Sequence, residues 1–241
     1  MTHAGPTVSL TPAASDFVAA VVALQPRLAV FDCDGTLWAG DSGAEFLYWE
    51  LDQGLLPEPV AAWIRPRYRD YLDGKVSEEA ICGEMVTIHE GLRTADLERA
   101  ADEFFTRKFT SAIFPEMQEL THRLRDAGCE LWAVSSTNDW VVCAGVRHFG
   151  IPEEHVLAAC VYSVGGTATG VLQRVPTGPD KARAIHDRIN RIPDVAFGNS
   201  IHDAAMLLLS RHPYAVNPNP ELLAIAHQHN WPVYYPIGTK P

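Results

Sequence analysis

Two aspartates, Asp32 and Asp34, follow an apolar run in the segment AVFDCDGTLWAGDSG at residues 29–43. Like charges one residue apart repel each other, so the pair suggests a bound cation, a phosphate site or a proton transfer. An EF-hand calcium loop counted from Asp32 needs a glycine and a glutamate where this chain has Leu37 and Gly43. That interpretation fails. An Asp-Gly turn stays open, although it does not explain why Asp32 comes directly after a strand-like run.

Three later segments carry polar groups that suit an anion. AVSSTNDW places Ser135 and Ser136 at the end of an apolar run, just before a predicted helix with free backbone N–H groups. Lys181, in PTGPDKARAI, lies near another predicted helix start, where a point charge can hold a phosphate. GNSIHD presents Asn199 and Asp203 after a further apolar run. Taken singly, these segments are equally typical of helix caps, a solvated lysine and a turn.

Strand-like apolar runs alternate with helical patterns along the chain, which predicts an α/β fold with a Rossmann-like, doubly wound and mainly parallel sheet. The carboxyl ends of such strands meet at one edge, so all four polar segments are expected there. The predicted strands are Leu28–Phe31, Glu130–Val134, Val156–Val161, Val195–Phe197, Tyr214–Val216 and Val233–Tyr235. A hairpin is predicted over Tyr162–Leu172, around a Gly-Gly pair.

Between about residues 42 and 112 the pattern is entirely helical, with four segments and no strand. This predicts a helical cap domain at 42–112, inserted into a Rossmann-like core domain formed by 1–41 and 113–241. An insertion at this point should cover the carboxyl ends of the strands, where open parallel sheets bind ligands.

Composition excludes several classes of partner. The 241 residues include 30 acidic and 19 basic ones, for a formal net charge of −11, which argues against nucleic acid and anionic membrane surfaces. Five scattered cysteines indicate a reducing, cytoplasmic compartment without disulfides. The first residues lack the basic region of a secretion signal and predict a disordered tip leading into a surface helix. No apolar run reaches the ~20 residues of a membrane span.

The motifs FDCDGT, VSS, Lys181 and GNSIHD, in this order, resemble those of the haloacid dehalogenase superfamily of phosphatases. The resemblance extends from about Leu28 to the end of the chain, and the helical cap is similar to that of the phosphoserine-phosphatase-like branch. It implies Mg²⁺-dependent hydrolysis of a small-molecule phosphomonoester through an aspartyl-phosphate. A dehalogenase of the same superfamily is disfavoured, since those enzymes generally lack the second aspartate. The oligomeric state stays open.

The resemblance also implies a role for each motif residue. Asp32 becomes the nucleophile that attacks phosphorus, and Asp34 the general acid that protonates the leaving oxygen and later the base that activates water. Ser135 and Ser136 bind the phosphate, and Lys181 neutralises its charge.

The metal site departs from the family pattern. The resemblance implies Mg²⁺ binding by Asp32, the Asp34 carbonyl and the first polar residue of the fourth motif, which is usually aspartate and here is Asn199. An amide oxygen still coordinates Mg²⁺ but brings no charge, so we expect weaker binding, with Asp203 as the alternative ligand. A catalytically silent phosphate-binding protein that has lost the metal is the competing hypothesis.

Substrate recognition rests on two positions. In phosphoserine phosphatases a carboxylate nine residues after the nucleophile holds the substrate amine, and the residue at that position here is Asp41. A cap arginine of those enzymes holds the substrate carboxylate, and the matching position here is Met85. These positions favour an amine-bearing or neutral phosphomonoester over phosphoserine, because a buried carboxylate would lack a partner. One alternative is a phosphoserine phosphatase that uses an arginine of the preceding helix, Arg65, Arg67 or Arg69. Aromatic residues could also add cation–π contacts to a substrate amine, and the candidates are Trp38, Trp49 and Trp63.

Overall fold

A computed structural model describes residues 10–239 of the chain. Seven strands form one sheet in the order β4-β3-β2-β1-β5-β6-β7, parallel except for the antiparallel pair β3 and β4. The strands are β1 Leu28–Phe31, β2 Glu130–Asn138, β3 Val156–Val164, β4 Thr167–Arg174, β5 Val195–Gly198, β6 His212–Val216 and β7 Val233–Tyr234. The predicted parallel sheet and hairpin are thereby confirmed, although β2 continues past the predicted end at Val134.

Ten α-helices occur among the described residues, and they cover both faces of the sheet. Successive residues of β1 explain this, because Ala29 and Phe31 pack in one hydrophobic cluster and Leu28 and Val30 in another. The helices are α1 Pro12–Ala23, α2 Ser42–Asp52, α3 Glu58–Leu72, α4 Glu78–Thr87, α5 Thr94–Lys108, α6 Pro115–Asp126, α7 Asp139–Val146, α8 Pro179–Ile189, α9 Ala204–Leu209 and α10 Pro220–His229. The predicted doubly wound α/β fold is confirmed.

The amino-terminal helix α1 matches the helix predicted to follow the start of the chain. The tip predicted to be disordered, residues 1–9, lies outside the described residues. Between residues 10 and 239, no helix has the length and apolar character needed to cross a bilayer.

The four helices α2 to α5 follow β1 without an intervening strand, as the sequence predicts. Helices α2, α3 and α4 share a hydrophobic cluster of their own, which includes Leu47, Ile64 and Ile81. Helix α5 instead places Phe104 and Phe105 in the main cluster of the sheet. The division into a core and a cap domain stays a prediction, with α5 as the helix that joins the two clusters.

The hairpin of β3 and β4 holds the loop between α4 and α5 by backbone hydrogen bonds. The Gly91 N–H donates to the Ala168 carbonyl, the Ala168 N–H to the Leu92 carbonyl and the Thr94 N–H to the Gly166 carbonyl, each at 2.9 Å. The helical insertion is therefore joined to the sheet by these hydrogen bonds as well as by the two chain segments that lead into and out of it.

Candidate active site

A cavity of about 370 Å³ lies at the carboxyl edge of the sheet, beneath the helical insertion. It brings together most of the residues that the sequence singles out. The predicted residues that line it are Asp32, Asp34, Asp41, Met85, Ser135, Ser136, Lys181 and Asn199. Asp203 lies behind this lining and reaches the site through Lys181.

Asp32 is held at the end of β1 by its backbone and by both carboxylate oxygens. Its N–H donates to the Phe197 carbonyl of β5 at 2.9 Å, which continues the sheet pairing. The Thr36 hydroxyl donates to Oδ2 at 2.8 Å, and the Lys181 ammonium to Oδ1 at 2.7 Å. Cys33, the next residue, is fully buried, as expected for a residue without a role in the site.

Lys181 is a buried cation shared by two carboxylates. It is 1 % exposed and donates to Asp32 Oδ1 at 2.7 Å and to Asp203 Oδ1 at 2.5 Å. Burial opposes its charged form, but the charges of Asp203 and Asp32 outweigh burial and raise its pKa. For Asp32, burial and then the charge of Asp203 raise the pKa to about 7, while Lys181 lowers it. The lysine is therefore a structural counter-ion, not a solvated surface residue.

Replacing Lys181 by methionine should strongly destabilise the protein. The variant leaves two buried carboxylates without their counter-ion, and breaking a buried ion pair costs about 3–5 kcal/mol. Urea unfolding at pH 8 measures this change. Lys75→Met is the matched control, because Lys75 pairs with Asp70 and Asp73 at the exposed surface, and its unfolding midpoint should not move. Equal midpoints for Lys181→Met and the wild type would contradict the buried-counter-ion role.

Asp34 is held by three donors. The Trp38 indole and the Ser42 N–H both donate to Oδ1 at 2.7 Å, and the Thr137 hydroxyl donates to Oδ2 at 2.7 Å. These bonds fix the orientation of the carboxylate. A hydroxyl also accepts hydrogen bonds, so Thr137 can turn and accept one from a protonated Oδ2. Thr137 can therefore pair with Oδ2 whether this oxygen accepts or donates the hydrogen bond.

The last part of β2 offers hydroxyl groups that suit an oxyanion. Ser135 is almost fully buried, its Oγ accepts the Thr137 N–H at 3.1 Å, and Ser136 lies beside it in the cavity lining. Asn138 caps α7, its Oδ1 accepting the Val141 N–H at 3.0 Å. A strand end followed by a capped helix start presents hydroxyls and N–H groups to the same space.

Asn199 and Asp203 have different surroundings. Asp203 is fully buried and its Oδ2 accepts the N–H groups of Asn199 and Ser200, both at 2.9 Å, while Oδ1 binds Lys181. Asn199 instead packs on Gly35, where an added Cβ would lie 2.0 Å from its Nδ2. Gly35 has a φ of +74°, so this close approach needs glycine for both space and conformation. Asn199 therefore lies beside the peptide that carries the Asp34 carbonyl.

On the cap side, Asp41 and Met85 face the cavity together with Tyr68 and Tyr71. Burial, followed by the charge of Asp34, raises the pKa of Asp41 to about 6. The cavity lining contains two cationic side chains among the described residues, Lys181 and His202. None of the three arginines considered as replacements for the family arginine lines the cavity, and Arg67 instead binds Glu84 at 2.8 Å.

Cation–π contacts and core packing were both considered for three tryptophans, with packing favoured for most of them, and none of the three lines this cavity. Trp38 is fully buried, packs edge-on against Phe105 at 5.1 Å and uses its indole N–H on Asp34. Trp49 stacks on Phe46 at 5.8 Å, and Trp63 is half-exposed on the outer side of the cap. The aromatic residues at the cavity are the two tyrosines of α3.

Glu78, at the start of α4, connects the cap to two loops of the core. Its Oε1 accepts the Thr177 hydroxyl at 2.6 Å, and its Oε2 contacts His202 Nε2 at 2.5 Å. Burial opposes the ionised form of Glu78, but the bonds from His202 and Thr177 outweigh it and lower its pKa. These loops lead to Lys181 and to Asp203, so one residue of α4 contacts both segments. The sequence analysis missed Glu78 and Thr137, and it named Trp38 without its hydrogen bond to Asp34. Position near a strand end or helix start was the available signal for Thr137 and Glu78.

The profile of the haloacid dehalogenase-like hydrolases matches residues 29–208, three quarters of the chain and all four motifs. The chain belongs to this family. The predicted recognition and the prediction of an enzyme of the hydrolase class are confirmed.

Relatives of this haloacid dehalogenase-like hydrolase include proteins named as phosphatases. A phosphoserine phosphatase of Mycobacterium tuberculosis is 25 % identical over 220 residues, covering 85 % of this chain and 69 % of its own. A histidinol-phosphatase of Neisseria meningitidis is 25 % identical over 219 residues, covering 86 % and 97 %.

Solved structures share the fold at lower identity. A protein of unknown function from Bordetella pertussis has a TM-score of 0.76 at 22 % identity, covering 86 % of this chain and 97 % of its own. A substrate-bound phosphoserine phosphatase has a TM-score of 0.56 at 16 % identity, covering 86 % and 92 %. These structures therefore share the fold over most of this chain.

Proposed function

We propose that this hydrolase is a Mg²⁺-dependent phosphatase that cleaves a small-molecule phosphomonoester through an aspartyl-phosphate on Asp32. The observation that carries the proposal is the contact of Asp32 with Lys181 at the cavity, with Asp34 two residues away. Lys181 places one positive charge beside the attacking carboxylate, where the phosphate must also bind. The names of the two phosphatase relatives support the same class of reaction.

The chain's own residues supply the proton and nucleophile for two displacements. In the first, an Asp32 oxygen bonds to phosphorus, the bond from phosphorus to the ester oxygen breaks, and Asp34 protonates the departing alkoxide. In the second, water attacks phosphorus, Asp34 takes a proton of that water, and the bond to Asp32 breaks to release inorganic phosphate. The hydroxyls of Ser135 and Ser136 hold the phosphoryl oxygens during both displacements.

The residues present fit a Mg²⁺ ion. Asp32 and Asp203 share the single positive charge of Lys181, and Asp34, two residues after Asp32, places a further carboxylate at the cavity. Mg²⁺ prefers oxygen donors, and we propose Asp32, the Asp34 carbonyl and Asn199 as its ligands. The oxygens of Asp203 are already engaged, which makes it the less suitable candidate. Within residues 10–239, no group of three His, Cys, Asp or Glu side chains forms a metal cluster, so the carbonyl and the amide are needed. When bound, the ion shields the phosphate charge from the attacking carboxylate.

Hydrolysis of an aryl phosphate with and without Mg²⁺ tests the proposed function. We expect phosphate release with Mg²⁺ and little in chelator, because two anions must otherwise approach each other. Equal rates in both conditions would contradict the metal requirement. Absence of turnover in both, together with retained phosphate binding, would favour the silent phosphate-binding alternative.

Replacing Asn199 by aspartate should tighten Mg²⁺ binding by about tenfold, because a charged oxygen replaces a neutral one in the proposed ligand set. The Mg²⁺ midpoint is measured by calorimetry and, independently, by activity. Asn219→Asp is the matched control, since Asn219 also lines the cavity but caps α10 through its Oδ1.

The control separates ligation from a general gain of negative charge. If Asn199→Asp and Asn219→Asp tighten binding equally, the effect acts through space and Asn199 is not a ligand. An unchanged midpoint for Asn199→Asp would return Asp203 to consideration.

We further propose that the substrate carries an amine or is neutral. Asp41 offers a negative charge to the leaving group, whereas Met85 offers no partner to a carboxylate. Comparison of kcat/KM for phosphoserine and phosphoethanolamine tests this. A clear preference for phosphoserine would support the alternative of a phosphoserine phosphatase.

The remaining predictions concern context. We propose residues 42–112 as the cap that encloses the leaving group and residues 1–41 and 113–241 as the core that carries the chemistry. The five cysteines are free thiols in the structure, which supports the proposed cytoplasmic location. The proposed partner is the small phosphomonoester itself.

A further inference from the structure

The leaving-group side of the cavity combines carboxylates with aromatic and apolar side chains. Asp41 lies at the start of α2, and this side is further lined by Tyr68 and Tyr71 of α3 and by Glu78, Ile81 and Met85 of α4. The helical insertion supplies almost all of these side chains. They would contact the leaving group, which is the part that differs between one phosphomonoester and another.

The charge of Asp41 has no counter-ion within the described residues. The charges that act on it are those of Asp34 and Glu78, both negative. Both oxygens of Glu78 are already engaged, one by the Thr177 hydroxyl and the other by His202, which leaves Asp41 as the less engaged carboxylate on this side. A cationic leaving group would therefore meet an unbalanced carboxylate at Asp41.

The two tyrosines are held in fixed positions beside that carboxylate. Tyr68 is 6 % exposed, packs edge-on against Tyr48 with centroids 5.6 Å apart, and lies 5.8 Å from Tyr71. Burial and then the charge of Asp41 raise the pKa of Tyr68, while burial and then Glu78 raise that of Tyr71 to about 12. Both rings therefore stay neutral, and both line the cavity together with Asp41.

Hydrogen-bond acceptors decide what kind of cation fits. A primary ammonium has three N–H donors to satisfy, but Asp34 already accepts three hydrogen bonds and Glu78 is engaged on both oxygens. Asp41 also accepts the Ala44 N–H at 2.9 Å through its Oδ1. An alkylated ammonium needs few or no hydrogen bonds and is attracted by aromatic rings and a nearby negative charge.

We propose that Tyr68, Tyr71 and Asp41 bind an alkylated ammonium group of the leaving alcohol, so that the preferred substrates are phosphate esters of alkylated amino alcohols. This inference rests on the proposed phosphatase function of the same cavity. Met85 and Ile81 contact the alkyl groups, where an arginine would repel them.

An isosteric pair of substrates isolates the charge. Choline phosphate and 3,3-dimethylbutyl phosphate have the same shape, and a carbon replaces the nitrogen in the second. We expect kcat/KM to favour choline phosphate by about tenfold or more, the size of a desolvated cation–π contact assisted by a carboxylate. Ethanolamine phosphate should rank below choline phosphate, because its N–H groups lose water without gaining enough acceptors.

Variants then assign the preference to residues. Tyr71→Leu and Tyr68→Leu should each reduce the choline to dimethylbutyl ratio by about threefold or more, whereas Tyr71→Phe keeps the ring and should keep most of the ratio. Asp41→Asn should also reduce it. Tyr162→Leu is the matched control, because Tyr162 is half-exposed on the hairpin and outside the cavity lining, and its ratio should equal that of the wild type. Tyr71 provides a second variant if the more buried Tyr68→Leu fails to fold.

Three results would each overturn the inference. The first is equal kcat/KM of the wild type for choline phosphate and 3,3-dimethylbutyl phosphate, and the second is a preference for ethanolamine phosphate over choline phosphate. The third is an unchanged choline to dimethylbutyl ratio in Tyr71→Leu. Hydrolysis of an aryl phosphate in the same assay distinguishes this result from failure of the proposed function. If no ester is hydrolysed, calorimetric binding of the two isosteric esters gives the same ratio, and equal affinities again overturn the inference.

Discussion

Replacing Asp32 by asparagine is expected to abolish turnover and to prevent any covalent phosphorylation of the protein. The amide lacks the anionic oxygen that bonds to phosphorus, while the remaining site residues keep their places. Phosphate release from an aryl phosphate and the intact mass after rapid acid quenching measure the two effects. Asp16→Asn, an isosteric change on the exposed side of α1, is the control and should keep full activity.

The same variant should fold at least as well as the wild type. Burial and the charge of Asp203 raise the pKa of Asp32 to about 7, so the folded protein binds more protons than the unfolded one at pH values above 3.8. The free energy of unfolding of the wild type in chelator should therefore fall as the pH rises from about 4 to 7, whereas that of Asp32→Asn should not show this decrease. Measuring Tm of both proteins at pH 4 and pH 7 tests the direction of the change.

Two results would contradict the role of Asp32. Trapped phosphate on Asp32→Asn would place the nucleophile on another residue. A large loss of Tm at pH 8 would show that the carboxylate serves the fold and not the reaction.

The positions of the motif residues were predictable because they depend on local sequence and on one rule of topology. An apolar run followed by Asp32 or Asn199 marks a strand end, and parallel strands align those ends, whereas Ser135 follows the apolar part of β2 but lies within that strand. The structure pairs Phe31 of β1 with Ala133 of β2 and Phe197 of β5, which brings the three following segments together.

The hydrogen bonds that tune these residues were not predictable from the same patterns. The Thr137 hydroxyl reaches Asp34 across 103 positions of sequence, and Thr177 reaches Glu78 across 99. Such contacts depend on the packing of one element against another and leave no periodic signal in either element. Trp38 shows the same limit, since its spacing suggests a cap aromatic but its ring is buried beneath Asp34.

The sequence predicted the helices of the insertion but not which of their side chains face the cavity. Helical patterns predict four segments between about residues 42 and 112, and the structure has four α-helices there, α2 to α5. Which aromatic residues face the cavity depends on how α3 rotates, and Tyr68 and Tyr71 face it while Trp63 points outward. Helical periodicity identifies a buried face without saying what it is buried against.

Replacing Asp34 by asparagine should slow hydrolysis by about 10²–10⁴-fold, the usual contribution of a positioned acid and base. The amide can keep the hydrogen bonds from Trp38 and Ser42 to Oδ1, and the Thr137 hydroxyl can turn to accept a hydrogen bond from the amide Nδ2. We therefore expect a folded protein with unchanged backbone geometry, whose loss of rate reflects proton transfer alone.

The size of the loss should depend on the leaving group, and this dependence separates the two roles of Asp34. An aryl phosphate has a leaving oxygen that departs without protonation, so Asp34→Asn should still form the phosphoenzyme from it and then hydrolyse that intermediate slowly, giving a burst of aryl alcohol. An alkyl phosphate needs the acid, so it should show a slow first step and no burst. Thr137→Val, which removes one hydroxyl from Asp34 but keeps the carboxyl group, should lose much less activity and show no burst with either ester. Equal losses for both esters in Asp34→Asn, with no burst, would mean that Asp34 orients other groups and carries no proton, because only a proton carrier makes the defect follow the basicity of the departing oxygen.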